Sequence, residues 1–259
     1  AYCYRCAYNL CYPDCELFCV KWIEDTLFRT TVPPEEVAAI FVEPIQGEGG
    51  YIVPPPGFHK EMHRMAKKYG ILYVADEVQS GMGRTGKMFA IEHFKAKADI
   101  IAIAKGIASG MPLGAMVAPA RIMDWEAGSH ASTFGGNPLS CQAAMATIEL
   151  LEKNLMKNAT VQGKRLMKGL HELQKTYECM GDVRGKGLMV GVEFVKDRET
   201  KEPATKWRPA IIRKAFEKGL LILGCGENSI RFCPALTVSA KEIDLGLSIF
   251  EEAVKEVAS

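Results

Sequence analysis

The sequence predicts an α/β chain, and three observations carry that reading. Short continuous apolar runs at Ala38-Ala39-Ile40-Phe41-Val42, Ile71-Leu72-Tyr73-Val74-Ala75 and Ile100-Ile101-Ala102-Ile103-Ala104 have the pattern of strands buried on both faces. Stretches of helical periodicity alternate with them, which predicts a mostly parallel sheet with helices on both faces. Past Thr133-Phe134-Gly135-Gly136 the texture becomes α+β, so a domain change is expected near Gly136, dividing the chain into 1–136 and 137–259.

Asp14 is the expected N-cap of the first element, an amphipathic helix through Leu17, Val20, Ile23 and Leu27, ended by Pro33-Pro34. The first apolar run closes at Glu43-Pro44 and opens into a Gly/Pro-rich loop that lasts to Pro56. Phe58, Met62, Met65 and Tyr69 then repeat helically until Gly70 supplies a C-terminal stop. The second run ends at Asp76, a helical patch spans Phe89 to Phe94, and the third run leads to Lys105. Beyond Gly136, Asn137 to Glu152 and Leu155 to Tyr177 read as long helices, and Leu188 to Val195 as a strand. Pro209 to Lys218 reads as a helix, Leu220 to Leu223 and Ser229 to Cys233 as short strands, and Lys241 onward as a last helix. Met62, Met65, Met116 and Met145 read as core filling.

Composition excludes several classes of partner. With 48% hydrophobic and 24% charged residues, and 32 basic against 31 acidic side chains, no net field favours nucleic acid or an anionic membrane. Neither a long apolar run nor a secretory h-region is found. The nine cysteines, an odd number, point to reduced thiols and a cytoplasmic setting. Five of them crowd into the first nineteen residues. Cys3, Cys6, Cys15 and Cys19 form C-x-x-C followed by C-x-x-x-C, a spacing that a tetrahedral zinc site could use; the alternative is a loop of thiols packed as small apolar groups.

Three successive strands deliver Glu43, Asp76 and Lys105 to one edge of the sheet, the edge at which such folds bind ligands. Other motifs compete for the neighbouring residues. Gly81-x-Gly83-x-x-Gly86 matches a dinucleotide fingerprint, but Asp76 to Ser80 separate it from the strand, and extension to Lys87 gives a phosphate-loop start that lacks the hydroxyl for magnesium. His59 and His63 lie one turn apart but lack the adjacent glutamate of a zinc protease, so a solvated helix face is expected. Arg84 reads as a turn former, and Arg184 with Lys186 as a charged turn. A lysine at a strand end between Ala104 and Gly106 is expected to be poorly solvated, which would make its amine nucleophilic. An aspartate one strand over can hold a pyridinium nitrogen protonated. Asp76 and Lys105 therefore form a credible pair for pyridoxal phosphate.

At this point Val42-Glu43-Pro44-Ile45-Gln46-Gly47-Glu48-Gly49-Gly50, Asp76-Glu77-Val78-Gln79-Ser80-Gly81, Gly83-Arg84-Thr85-Gly86, Ala104-Lys105-Gly106 and Ser132-Thr133-Phe134-Gly135-Gly136-Asn137-Pro138-Leu139 resemble class III (ornithine/4-aminobutyrate type) aminotransferases of the fold-type I pyridoxal-phosphate enzymes. Val183-Arg184-Gly185-Lys186-Gly187-Leu188 and Ile230-Arg231-Phe232-Cys233-Pro234-Ala235-Leu236 match as well. The motifs run in the family's order from about Val37 to the end.

The resemblance implies part of a large parallel-sheet domain (1–136) followed by a linking helix and a small α+β domain (137–259). It makes Lys105 the Schiff-base and proton-transfer lysine, Asp76 the partner of the ring nitrogen, Val78 a packing group on the ring face and Gln79 a hydrogen-bonding group near the ring hydroxyl. Thr133 is similar to a threonine that contacts the cofactor phosphate of the neighbouring subunit, which implies a homodimer with shared sites. Glu48 and Arg231 hold the positions of a pair that opens and closes on substrate, and Glu43 in the same motif is grouped with them on the substrate side.

The implied reaction is ping-pong transfer of an amino group from an ω-amino acid such as 4-aminobutyrate to 2-oxoglutarate. Ornithine or acetylornithine transfer, amino-acid racemisation and dialkylglycine decarboxylation remain open on the same scaffold. The alternative from another class is a non-catalytic binding or assembly module organised by the cysteines. The family's phosphate-binding helix N-terminus and ring-stacking aromatic cannot be assigned, so the chain is expected to be the C-terminal part of a longer enzyme.

Overall fold

A computed structural model describes residues 1–258. The chain forms two compact units, one of residues 1–44, 54–82 and 87–153, the other of residues 45–53, 83–86 and 154–259.

In the first unit, residues 18–30 wind as one helix (α1) with a π turn over Ile23–Leu27. The helix starts after Leu17, whose backbone is left-handed, and not at the expected cap Asp14. Next come β1 (Ala39–Val42), α2 (Phe58–Lys68), β2 (Leu72–Asp76), β3 (Ile100–Ile103), β4 (Ala115–Val117) and α3 (Pro138–Leu150), the last capped by Asn137 through the N–H of Ser140. The sheet order is β1-β2-β3-β4. The first three strands run parallel and β4 is antiparallel, an edge strand that three residues were too short to announce.

Only β2 is buried as the apolar runs predicted. β1 lies at the sheet edge, where Phe41 is 74% exposed, and β3 is half-buried. Met62 and Met65 fill the core with Val20, Phe28, Ile71 and Tyr73, whereas Met116 and Met145 are exposed, on the edge strand β4 and on α3.

Helix α2 buries His59, Met62, Met65 and Ala66 at helical spacing, and Gly70 (φ +71) lets the Ile71 N–H return to the Ala66 carbonyl at 2.9 Å. His59 is therefore not on a solvated face. It is fully buried, Nε2 lies 2.9 Å from the Pro44 carbonyl and Nδ1 lies 2.8 Å from the Tyr73 hydroxyl. Since a carbonyl only accepts, Nε2 carries the proton and Nδ1 accepts from Tyr73. The ring fastens the chain leaving β1 to Tyr73 near the start of β2.

The second unit is built on an antiparallel sheet of order β5-β6-β8-β7: β5 (Met180–Lys186), β6 (Met189–Phe194), β7 (Leu223–Cys225) and β8 (Ser229–Phe232). Helices α4 (Met156–Thr176), α5 (Trp207–Glu217) and α6 (Ala240–Ala258) contribute Leu166, Leu170, Ile211 and Phe250 to a core completed by Val190, Val192, Phe194 and Ile230. The last turn before α4, Leu151–Leu155, is π-helical. No helix among the described residues is long and apolar enough to cross a membrane.

Burial pushes the His59 pKa down from 6.5 to about 4. The unfolded chain takes up this proton first as pH falls, so stability attributable to His59 is complete above 6.5 and is lost toward pH 4. Denaturant unfolding should show a loss of about 3 kcal/mol over that window, and His59→Gln should remove this part of the pH dependence.

Candidate active site

The carboxyl edge of the parallel sheet is set by register. Val42 pairs with Ala75 and Asp76 with Ala102, so Glu43 and Asp76 leave their strands at one level, and Lys105 lies two residues beyond the end of β3. Asp76 is half-buried, and its Oδ1 accepts the Val78 N–H at 3.0 Å, which fixes the carboxylate beside its own turn. Val78, Gln79 and Glu43 are half-buried, and Thr133 is exposed in the loop before α3.

Lys105 is exposed, against the expectation of a desolvated amine. Its backbone is left-handed (φ +46), an uncommon state for a residue with a Cβ, and such strain gathers at functional positions.

Glu77, next to Asp76, holds this edge in shape. Its carboxylate is fully buried and accepts the Ser80 hydroxyl at 2.7 Å and the N–H groups of Ala90 and Ile91 at 3.0 and 2.8 Å. The Glu77 N–H donates to the Ala102 carbonyl of β3 at 3.0 Å. Gly81 is needed on this turn, since a Cβ there would stand 2.7 Å from the Glu77 carbonyl oxygen. Beyond Gly81 the chain forms turns and bends, not the helix a dinucleotide fingerprint would open.

The second unit holds Glu48 and Arg231. Arg231 on β8 donates through Nη1 to Glu48 Oε1 in a close ion pair, with the arginine side chain 14% exposed and the glutamate 70%. The turn carrying Glu48 is anchored at both ends. The Gly226 N–H donates to the Glu48 carbonyl at 2.7 Å, and Arg184 donates through Nη2 and Nε to the Gly50 carbonyl at 2.6 and 3.1 Å. Arg184 is thus a buried tether and not part of a charged turn, held by Glu193 (3.2 Å), Asp182 (3.1 Å) and Ser229 Oγ (2.9 Å). Arg84 is the turn former expected, and its guanidinium also reaches the Pro234 carbonyl at 2.5 Å.

Tyr51 escaped the sequence reading. It is 2% exposed in a left-handed conformation (φ +52), and the Arg231 guanidinium lies 5.8 Å from its ring centroid. Burial, reinforced by Cys233, raises the pKa of its hydroxyl. The signal for both Tyr51 and Glu77 was adjacency to a motif residue.

Residues 6–254 match the family model for class-III aminotransferases. The chain belongs to the class-III aminotransferases. Similar proteins include the leucine/methionine racemase of Thermococcus litoralis, 45% identical over 98% of this chain and 58% of that protein, and the 4-aminobutyrate aminotransferase GabT of Escherichia coli, 37% identical over 89% of this chain and 55% of that one. An amine transaminase from an uncultivated Pseudomonas species, solved in its PLP-bound form, aligns with a TM-score of 0.92 at 32% identity over 99% of this chain and 60% of that chain. The class-III chain described here spans little more than half the length of these relatives.

Class-III aminotransferases are fold-type I enzymes dependent on pyridoxal phosphate, and the residues present fit that group. A fixed carboxylate and an accessible primary amine leave adjacent parallel strands at the same edge. The cysteines do not form the zinc site that their spacing suggested. Among the described residues no three His, Cys, Asp or Glu side chains converge as a metal centre.

Glu77→Ala should lower the unfolding free energy by about 3 kcal/mol, since it strands two N–H groups and a hydroxyl in the interior; urea denaturation checks this. Burial raises the Glu77 pKa, so its contribution to stability should decline as pH rises through the raised value, a slope absent from Glu77→Gln. Arg184→Leu should cost about 4 kcal/mol in the same assay by leaving Glu193 buried without its cation.

Proposed function

We propose that this chain is the part of a pyridoxal-phosphate aminotransferase that carries its lysine and its substrate-carboxylate switch, and that the enzyme moves an amino group from an ω-amino acid such as 4-aminobutyrate to 2-oxoglutarate in two half-reactions. The closed Arg231–Glu48 pair carries this reading. With Arg231 engaged by Glu48, an amine-bearing side chain meets no free cation. With the pair open, the planar guanidinium can grip the distal carboxylate of 2-oxoglutarate with two parallel hydrogen bonds. One residue then serves two substrates of different charge.

Pyridoxal phosphate, when bound, supplies an electron sink for the carbon that loses a proton. Asp76 would accept the ring N–H, its Oδ1 being steadied by the Val78 N–H. Lys105 would hold the cofactor through its amine and would carry the proton lost by the carbon that bears the transferred amino group. Val78 would pack on the ring face and Gln79 would hydrogen-bond beside the ring hydroxyl. Thr133 reaches the phosphate of the neighbouring subunit in a cytoplasmic homodimer. Glu43 helps orient the substrate-side groups. In this scheme residues 1–136 belong to the cofactor-binding domain and 137–259 form the linking helix and small domain.

Racemisation is the second reading, favoured by two racemases at 45% identity, that of T. litoralis and the alanine/serine racemase of Pyrococcus horikoshii. Both readings use Lys105 and Asp76, but only transamination uses an oxo-acid acceptor. Glutamate formation from 4-aminobutyrate and 2-oxoglutarate by the gene product carrying this chain separates them, and a D-amino acid formed without glutamate overturns the first.

Lys105→Ala should abolish turnover with either substrate pair. Arg231→Ala should raise KM for 2-oxoglutarate ~100-fold, the worth of a charged double hydrogen bond, and leave KM for a donor without a distal carboxylate unchanged. Steady-state kinetics with each substrate varied in turn checks both.

A further inference from the structure

The proposed reaction makes no use of the cysteines of the first nineteen residues. Cys3, Cys6, Cys15 and Cys19 line one cavity of about 250 Å³ in the first unit, walled by Tyr8 and Phe18, whose rings meet edge to face at 4.9 Å. All four are free thiols. Cys3 opens a 3₁₀ turn, Cys3–Arg5, and Cys6 closes it. In a 3₁₀ turn residues i and i+3 eclipse one another, so the two thiols of this C-x-x-C stand on one side of the same turn and face the same space.

Their surroundings differ in kind. Main-chain N–H groups of Leu10, Tyr8 and Asn9 donate to the Cys6 sulfur and lower its pKa. Burial, then the neighbouring sulfurs of Cys15, Cys19 and Cys6, raises that of Cys3. Fixed donors that favour the thiolate form of one cysteine, beside a second whose thiolate form is disfavoured, are the relation expected of an attacking and a resolving cysteine.

We propose that Cys3 and Cys6 form a reversible dithiol site for a low-molecular-weight disulfide, with the aromatic cavity receiving its organic part and Arg5, which also lines the cavity, attracting its carboxylates. The Cys6 thiolate attacks one sulfur of the disulfide. Its S–S bond breaks, a mixed disulfide forms on Cys6, and one thiolate leaves with the electron pair. Cys3 then loses its proton to solvent and attacks Cys6 Sγ, expelling the second thiolate. The protein dithiol is oxidised by two electrons, and the small disulfide is reduced to two thiols.

Glutathione disulfide at pH 7, followed by peptide mass spectrometry of the intact chain, tests this. The unaltered protein should acquire a Cys3–Cys6 disulfide reversed by dithiothreitol, and Cys3→Ser should keep a glutathione on Cys6. Cys6→Ser and Cys6→Ala should each slow reaction of the first nineteen residues about tenfold, while Cys11→Ser reacts as the unaltered protein does. Far-UV circular dichroism of each variant separates loss of reactivity from loss of fold. Glutathione spread evenly over Cys3, Cys11, Cys15 and Cys19, a Cys6 disulfide with Cys15 or Cys19 in place of Cys3, or undiminished reaction in a folded Cys6 variant would overturn the proposal.

Discussion

A glycine-rich loop has few side chains of its own with which to satisfy its backbone, and whatever holds it must come from elsewhere in the fold. Both units meet this constraint with one buried ionisable side chain. In the first, the Glu77 carboxylate gathers the N–H groups that begin the Ala90–Phe94 turn and the Ser80 hydroxyl, and so shapes the turn leaving Asp76. In the second, the Arg184 guanidinium takes the Gly50 carbonyl and is itself neutralised by Glu193 and Asp182. An acceptor serves where the loop offers donors, and a donor where it offers an acceptor. Glu48 could not be presented to Arg231 reproducibly on a turn of three glycines without that tether.

The fold was legible wherever burial and periodicity coincide. Strand β2, with Tyr73, Val74 and Ala75 all buried, lies within one residue of its apolar run, and Gly70 ends α2 as its left-handed backbone requires. Strand β5 was invisible because Met180–Lys186 contains two glycines and three charged residues; its place is fixed by pairing with β6, which no local pattern reveals. Asp14 looked like a cap, but the left-handed backbone at Glu16 and Leu17 postpones the helix. Phe41 looked buried because an apolar run does not say which strand will be at the edge.

The site was legible in a different way. Register brings Glu43 and Asp76 to one level, with Lys105 following beyond the end of β3 at the same edge, and this came from counting strand ends. Glu48 and Arg231 are 183 residues apart, and no spacing argument joins them; the family resemblance did. Arg184 was misread because flanking Val183, Gly185 and Lys186 resemble a surface turn, and only the acids of β5 and β6 reveal it as interior. His59 was misread for a similar reason, since its partners Pro44 and Tyr73 belong to other elements.

Lys105 presents its amine from a backbone that disfavours any side chain at all. The left-handed state costs a residue with a Cβ about 1 kcal/mol or more, a cost that glycine escapes. In the proposed reaction, chemistry and folding therefore ask for different amino acids at this position: glycine would relax the turn and leave no amine, whereas lysine supplies the amine at the expense of the turn. Stability alone would favour glycine here, and the amine that Lys105 presents comes at that cost to the fold.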